Sequence, residues 1–86
     1  MKMNKVLVKI FFPRIDKWFE VLIPLNQKIE NIIIQLIKGI NEINENIYYT
    51  TTDMPILYNR GSGEYYEYNS LVQNTNIKNG SELILI

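Results

Sequence analysis

The chain has 86 residues, 47% of them hydrophobic, and its nine basic and nine acidic residues leave no net charge. This length fits one domain, and the neutral balance argues against a nucleic-acid partner, because nucleic-acid-binding domains carry a basic excess. Cys and His are both absent, which excludes disulfides, thiolate and imidazole metal ligands and the commonest general base. We therefore expect no cofactor and no metal site.

The first part of the chain predicts a β-hairpin over Lys5–Phe12 and Lys17–Ile23, because apolar residues alternate along both segments. The four residues between them begin with Pro13, which favours a turn, and they place Phe12 opposite Lys17. On one face, this register forms three compatible cross-strand pairs: Lys9 with Glu20, Phe11 with Trp18, and Leu7 with Leu22. A slip by one residue would bury the two charges, so the register is well specified.

A helix is predicted over Ile29–Ile43. Apolar residues recur along one side of it at spacings of three and four: Ile29, Ile32, Ile33, Leu36, Ile37 and Ile40. Such a stripe is typical of a helix that packs one face on a core. The segment is too short and too polar to span a bilayer, so we expect no membrane insertion. Asn26 is the expected N-cap, and the helix is expected to end at Asn44–Asn46.

The second half of the chain predicts three more strands: Met54–Tyr58, Glu64–Tyr68 and Glu82–Ile86. The loop between the first two contains Gly61 and Gly63, which tolerate positive φ. A turn or short 3₁₀ segment is expected over Ser70–Asn76. The pair Asn79-Gly80 is a strong turn signal before the last strand.

The order hairpin, helix, strand, short strand, strand resembles the β-grasp of ubiquitin. The run Lys28-Ile29-Glu30-Asn31-Ile32 is similar to the start of the ubiquitin helix, and Ile56-Leu57-Tyr58 is similar to its third strand. Residues 71–77 and 81–85 resemble the lead-in to its last strand and that strand itself. The resemblance implies an α+β fold over residues 1–86 as a single domain, in which a mixed five-stranded sheet of order 2-1-5-3-4 packs on one helix.

The ending from Thr75 to Leu85 is also similar to the close of the YukD-like bacterial ubiquitin-like proteins, from which it departs at Asn76 and Ser81. This resemblance implies an accessory role in type VII secretion. Ubiquitin-type modifiers and sulfur carriers end in a free Gly-Gly tail, whereas this chain stops at Ile86 within the last predicted strand. The alternative of a modifier or sulfur carrier is therefore disfavoured.

The candidate binding site is the sheet face directed away from the helix. The predicted alternation places seven apolar side chains on it: Leu7, Phe11, Trp18, Leu22, Leu57, Ile84 and Ile86. By the ubiquitin resemblance, Leu57 and Ile86 match two positions of a known binding patch. Large open apolar patches mark interaction sites, so the face predicts a protein partner. A homodimer or self-assembling structural protein that uses the same face is one alternative, and strand propensity without any partner is another.

The remaining candidates favour structural roles. Six tyrosines lie in the second half, where several are expected to support the core: Tyr48, Tyr49, Tyr58, Tyr65, Tyr66 and Tyr68. Gly61-Ser62-Gly63 lacks the Lys-Ser/Thr of a phosphate loop. The carboxylates of Glu64, Glu67, Asp53 and Glu82 have neither catalytic nor metal-ligand spacing. No targeting segment is visible, so we expect a cytoplasmic, non-catalytic protein.

Overall fold

Residues 4–43 and 54–86 are described by the computed structural model. They form four strands, one α-helix and a short 3₁₀ turn over Val72–Asn74: β1 (Lys5–Phe12), β2 (Lys17–Pro24), α1 (Ile29–Ile43), β3 (Leu57–Asn59) and β4 (Glu82–Leu85). The predicted exit of the helix at Asn44–Asn46 lies outside the described residues. The α+β class with one helix and a mixed sheet is therefore confirmed.

The β1–β2 hairpin has the predicted register. Phe12 pairs with Lys17, and the pairing continues without interruption to Lys5 opposite Pro24. In the turn, the Ile15 N–H donates to the Phe12 carbonyl at 3.1 Å. Asp16 has a φ of 53°, a conformation that Asp tolerates better than most residues. The turn fixes the pairing of both strands, because their first pair follows directly from the loop length.

The strand count and sheet order differ from the prediction. Within the described residues the sheet has four strands in the order β2-β1-β4-β3, so the predicted five-stranded sheet of order 2-1-5-3-4 is wrong. β4 lies parallel to β1 and antiparallel to β3. The Asn79 side chain contributes to this junction, because its Oδ1 accepts the Leu7 N–H at 2.8 Å. Gly80, at φ 86°, then directs the chain into β4.

The predicted fourth strand, Glu64–Tyr68, is reduced to a single bridge between Tyr65 and Tyr58. After this bridge the chain turns away from β3 and reaches the start of the helix. The carbonyls of Tyr68 and Ser70 accept the N–H groups of Glu30 and Ile29, at 3.0 and 2.9 Å. A backbone committed to the start of α1 cannot also continue a strand along β3.

These two carbonyls also replace the expected helix cap. The first turn of a helix has N–H groups without intrahelical partners, and here the backbone of the 68–70 segment accepts two of them. The prediction of Asn26 as N-cap is wrong, since α1 begins at Ile29, three residues later. The start of the helix is thus tied to a segment about 40 residues further along the chain.

The core lies between α1 and one face of the sheet. All six residues of the predicted helix stripe are buried, and they pack against alternate residues of the strands. The largest fully buried side chains are Phe12, Ile10, Ile23, Ile29, Ile33, Leu57, Leu83 and Leu85. Burying a side chain of this size contributes about 1.5–3 kcal/mol, which compensates for the low helix propensity of an Ile-rich segment.

Candidate protein-binding face

The sheet face directed away from α1 is called the outer face below. It is formed by alternate residues of β1, β2 and β4 and by the strand segment that begins at Ile56: Leu7, Lys9, Phe11, Trp18, Glu20, Leu22, Ile56, Tyr58, Arg60, Glu82, Ile84 and Ile86. Six of the seven predicted site residues lie on it. The four strands bring them onto one continuous surface.

Leu57 is the exception, and its predicted place on the outer face is wrong. Its side chain is 0% exposed, and its partner Leu85 is equally buried. The register of β3 against β4 instead sets Tyr58 beside Ile84, so Tyr58 takes the outer position. A Tyr side chain, with an apolar ring and a polar tip, suits a half-exposed surface better than Leu does. That difference was the signal available in the sequence.

A row of apolar and aromatic side chains crosses the outer face. Phe11 pairs with Trp18 on one side and Ile84 on the other, and Ile84 pairs with Tyr58. The rings of Phe11 and Trp18 lie 5.2 Å apart between centroids with an interplanar angle of 43°. Trp18 remains 43% exposed. The side chains of this row therefore pack against one another, and the Trp18 ring still leaves a large aromatic surface exposed to solvent.

A row of charged side chains runs parallel to the apolar row. Lys9 pairs with both Glu20 and Glu82, and the Arg60 N–H donates to the Glu82 carbonyl at 2.9 Å. The Nη1 of Arg60 lies 3.1 Å from the Oε1 of Glu82. Negative and positive charges thus alternate across all four strands. Sequence reasoning missed Arg60, which it assigned to a loop.

Arg60 also connects the charged row to the aromatic row. Its Cζ lies 5.6 Å from the centroid of the Trp18 ring, within the range of a cation–π contact. A shallow hollow of about 520 Å³ lies between these groups, lined by Lys9, Trp18, Phe19, Glu20, Arg60 and Glu82. The guanidinium thus extends across the sheet from its β3 side towards β2.

Exposed aliphatic side chains flank the two rows. Leu7 and Leu22 pair with each other at one end and are 43% and 58% exposed. At the other end Ile86 is 55% exposed, although its backbone exchanges two hydrogen bonds with Ile56, at 2.7 and 3.0 Å. The outer face therefore carries large apolar groups at both ends.

The tyrosines divide between structural and exposed positions, while Tyr48 and Tyr49 lie outside the described residues. The Tyr66 side chain is buried, its hydroxyl accepts from the Nδ2 of Asn59 at 3.0 Å, and it donates to the Oδ1 of Asn76 at 2.5 Å. Burial raises the pKa of Tyr66. Tyr68 donates to the carbonyls of residues 54 and 55. Both side chains fasten the second half of the chain to the core, as predicted for several tyrosines.

The glycine loop is occupied by internal contacts. The N–H groups of Gly61 and Ser62 both donate to the Oδ1 of Asn59, at 2.9 and 3.1 Å. Donors that already have a carboxamide partner are not directed at a phosphate. Glu64 and Glu67 are exposed, whereas Asp53 lies outside the described residues. Across residues 4–43 and 54–86, no group of three Asp or Glu side chains is placed to hold a metal ion.

No helix in the described part of the chain is long and apolar enough to cross a membrane. A hairpin followed by one helix, with the last strand inserted between β1 and β3, defines the ubiquitin-like β-grasp, and this chain has that fold. No protein-family model and no curated protein sequence matches the chain. The likeness to known proteins is therefore one of structure.

Solved structures of several systems share this fold. The ubiquitin-like domain of the Mycobacterium tuberculosis type VII secretion protein EccD1 is 17% identical, with a TM-score of 0.74 over 98% of this chain and 99% of that domain. A chain of the ESX-5 inner membrane complex is 13% identical, with a TM-score of 0.77, and the match covers 98% of this chain and 21% of that one. This chain thus spans about a fifth of its length.

The same fold also occurs in a chain from a structure that describes molecular mimicry of SUMO in DNA repair. That chain is 13% identical, with a TM-score of 0.78 over 100% of this chain and 95% of its own length. At such identities the likeness shows the fold alone, and function has to be argued from the surface of this chain.

Proposed function

We propose that residues 1–86 act as a single ubiquitin-like domain that binds a protein partner through its outer face and catalyses no reaction. The observation that carries this proposal is the set of large apolar side chains left partly exposed on one sheet face: Leu7, Trp18, Leu22 and Ile86. Large exposed apolar side chains gathered on one face, here divided by a row of charges, mark protein interaction sites.

The composition of the outer face supports a protein as the partner. Trp, Tyr and Arg are the residues most enriched at the centres of protein interfaces, and here Trp18, Tyr58 and Arg60 lie on one face. The neighbouring charges balance, since Lys9 and Arg60 lie among Glu20 and Glu82. A phosphate backbone would require a positive excess.

The proposed setting is the cytoplasm, where the domain would serve as an accessory of a type VII secretion machine. The support is the structural likeness to the EccD1 domain and to part of the ESX-5 inner membrane complex, together with the YukD-like ending of the sequence. A similar likeness to a chain from a structure on molecular mimicry of SUMO in DNA repair means that the fold alone does not assign this setting. The setting therefore requires an experiment that identifies the partner.

The experiment is affinity capture from the native cytosol, read by mass spectrometry, with wild type beside Leu22→Glu/Ile86→Glu. Both side chains are more than half exposed, so we expect the double variant to fold. It should lose the captured protein, because each substitution places a charge in an apolar contact. Capture of a component of a secretion membrane complex by wild type would support the proposed setting.

The matched control is Ile43→Glu, which makes the same change at a 65% exposed residue at the end of α1, away from the outer face. It should capture the partner as well as wild type does. Equal capture by Leu22→Glu/Ile86→Glu and by the control would reject the outer face as the binding site. A captured partner unrelated to secretion would reject the type VII setting and retain the interaction role.

A further inference from the structure

We infer that the outer face binds a second copy of this chain, face to face, about a two-fold axis parallel to the strands and between β1 and β4. The inference rests on the proposed function, since it names the partner of the same surface. It is carried by the order of the charges across the sheet and by the way a two-fold rotation matches them.

The charged row alternates in sign from one edge of the sheet to the other. Following the strand order β2-β1-β4-β3, it contains a carboxylate, an ammonium, a carboxylate and a guanidinium: Glu20, Lys9, Glu82 and Arg60. All four side chains are exposed. Because neighbouring strands are about 4.8 Å apart, the row is roughly 14 Å long.

The alternation makes the row complementary to itself in one orientation. A two-fold axis along the strands reverses the strand order, so β2 faces β3 of the second copy and β1 faces β4. Glu20 then faces Arg60 of the partner subunit, and Lys9 faces Glu82 of the partner subunit. A two-fold axis that crosses the strands along the charged row would instead place every charge opposite its own copy, which is unfavourable.

The same axis also matches the apolar row. Trp18 faces Tyr58 of the partner subunit, and Phe11 faces Ile84 of the partner subunit. Sheets that pack face to face keep their strands within about 30° of parallel, which this axis satisfies. Within these two rows, apolar groups therefore meet apolar groups and charges meet opposite charges, in the geometry of an ordinary two-layer sheet packing.

Arg60 is the residue whose contacts change most on pairing. In the single chain its guanidinium lies near the Trp18 ring and the Glu82 carboxylate. In the dimer it gains a second carboxylate, Glu20 of the partner subunit. An Arg between two carboxylates and an aromatic ring has contacts typical of residues that contribute strongly to binding.

The size of the face sets the expected strength. Four strands give a surface about 20 Å across, which lies at the small end of stable interfaces. We therefore expect a dimer that dissociates on dilution. Sedimentation velocity from about 10 μM to about 1 mM should show wild type shifting from monomer to dimer as the concentration rises.

The decisive test uses charge reversal. In the dimer, residue 20 of each copy faces residue 60 of the other. Glu20→Arg alone therefore sets two cations opposite each other at both of these contacts, and Arg60→Glu alone sets two carboxylates opposite each other. Each variant should weaken dimerisation by about tenfold or more. A mixture of the two variants restores both opposite-charge pairs, and so does the double variant in one chain. Both should therefore dimerise as wild type does.

The controls are Glu42→Arg and Lys38→Glu, which reverse exposed charges on α1 and should leave the dimer unchanged. Thermal unfolding of every variant shows that the chain remains folded. The dimer would be overturned if wild type stayed monomeric over the whole concentration range, or if mixing the two single charge reversals failed to restore dimerisation. If wild type is monomeric and still captures another protein through the outer face, the dimer fails and the proposed function stands.

Discussion

Both faces of the sheet are formed by alternate residues of the strands, but their side chains are arranged differently. On the inner face every second residue of β1 is buried against α1, and Val8, Ile10, Leu83 and Leu85 are all 0% exposed. The outer face alternates again within itself, with an apolar row beside a charged row. A buried face needs only apolar volume, whereas the order of charges on an open face can select one partner and one orientation.

The difference also separates stability from recognition. Core side chains contribute through burial and packing, which depend little on direction. The outer-face groups interact with one another through a tilted ring pair and one ion pair, and such exposed contacts contribute little to folding. The inner face is therefore expected to determine whether the chain folds, and the outer face what it binds.

The largest expected effect compares one substitution on both faces. Leu57→Ala should lower the free energy of unfolding by about 2–5 kcal/mol, because it leaves a cavity in a fully packed core. Leu22→Ala removes the same atoms from a side chain that is 58% exposed and should change stability by less than about 0.5 kcal/mol. Urea unfolding measures both.

Similar losses in the free energy of unfolding for the two variants would contradict the distinction between the two faces. A large cost at Leu22 would show that the outer face is covered in solution and contributes to the fold. In that case the cost should depend on protein concentration if the cover is a second copy, because dimerisation adds to apparent stability by mass action.

The register of a strand could be predicted from the sequence only where a short turn connects the strand to its neighbour. The register of β1 and β2 was predictable because a four-residue turn fixes it. β3 has no hairpin partner, so no turn fixes its register, and only the polar tip of Tyr58 indicated that Leu57 is the residue that faces the core. A one-residue change exchanges the two faces, and this exchange misplaced Leu57.

The features that the sequence did not predict depend on contacts between segments that are far apart in the chain. The predicted strand Glu64–Tyr68 has suitable residues, but the carbonyl of its last residue, Tyr68, accepts a hydrogen bond from Glu30 at the start of α1. Arg60 joins the site only because β3 lies beside β4 and its long side chain reaches Trp18. Neither contact leaves a periodic signal in the sequence.

The next effect concerns the hydrogen bonds that anchor the β3 side of the sheet. Tyr66→Phe removes the buried hydroxyl that binds Asn59 and Asn76 and should cost about 1–3 kcal/mol, because polar partners are left unsatisfied. Tyr65→Phe is the matched control, at a side chain that is 63% exposed, and should be nearly neutral. Equal stabilities in thermal unfolding would show that the network is dispensable.

The buried Tyr66 hydroxyl also makes the free energy of unfolding depend on pH. Burial raises the pKa of Tyr66, the hydrogen bond from Asn59 lowers it in part, and the charge of Glu64 raises it further. The unfolded chain therefore loses this proton first, near pH 10. The contribution is fully present below that pH and is lost as the pH rises through the folded-state pKa. Tyr66→Phe should flatten the decline of stability above about pH 10, and parallel curves would contradict the assignment.

A small effect on stability is expected at Arg60, on the outer face. Arg60→Gln removes the ion pair with Glu82 and the contact with Trp18 and should cost at most about 1 kcal/mol, because exposed pairs contribute little. The ion-pair part should shrink in high salt. Trp18 is the single tryptophan of the chain, so its fluorescence reports on this face alone. It should change in Arg60→Gln and stay constant in Lys38→Gln on α1. An unchanged spectrum in Arg60→Gln would show that the guanidinium does not rest on the ring in solution, and the outer face would then lose the link between its two rows.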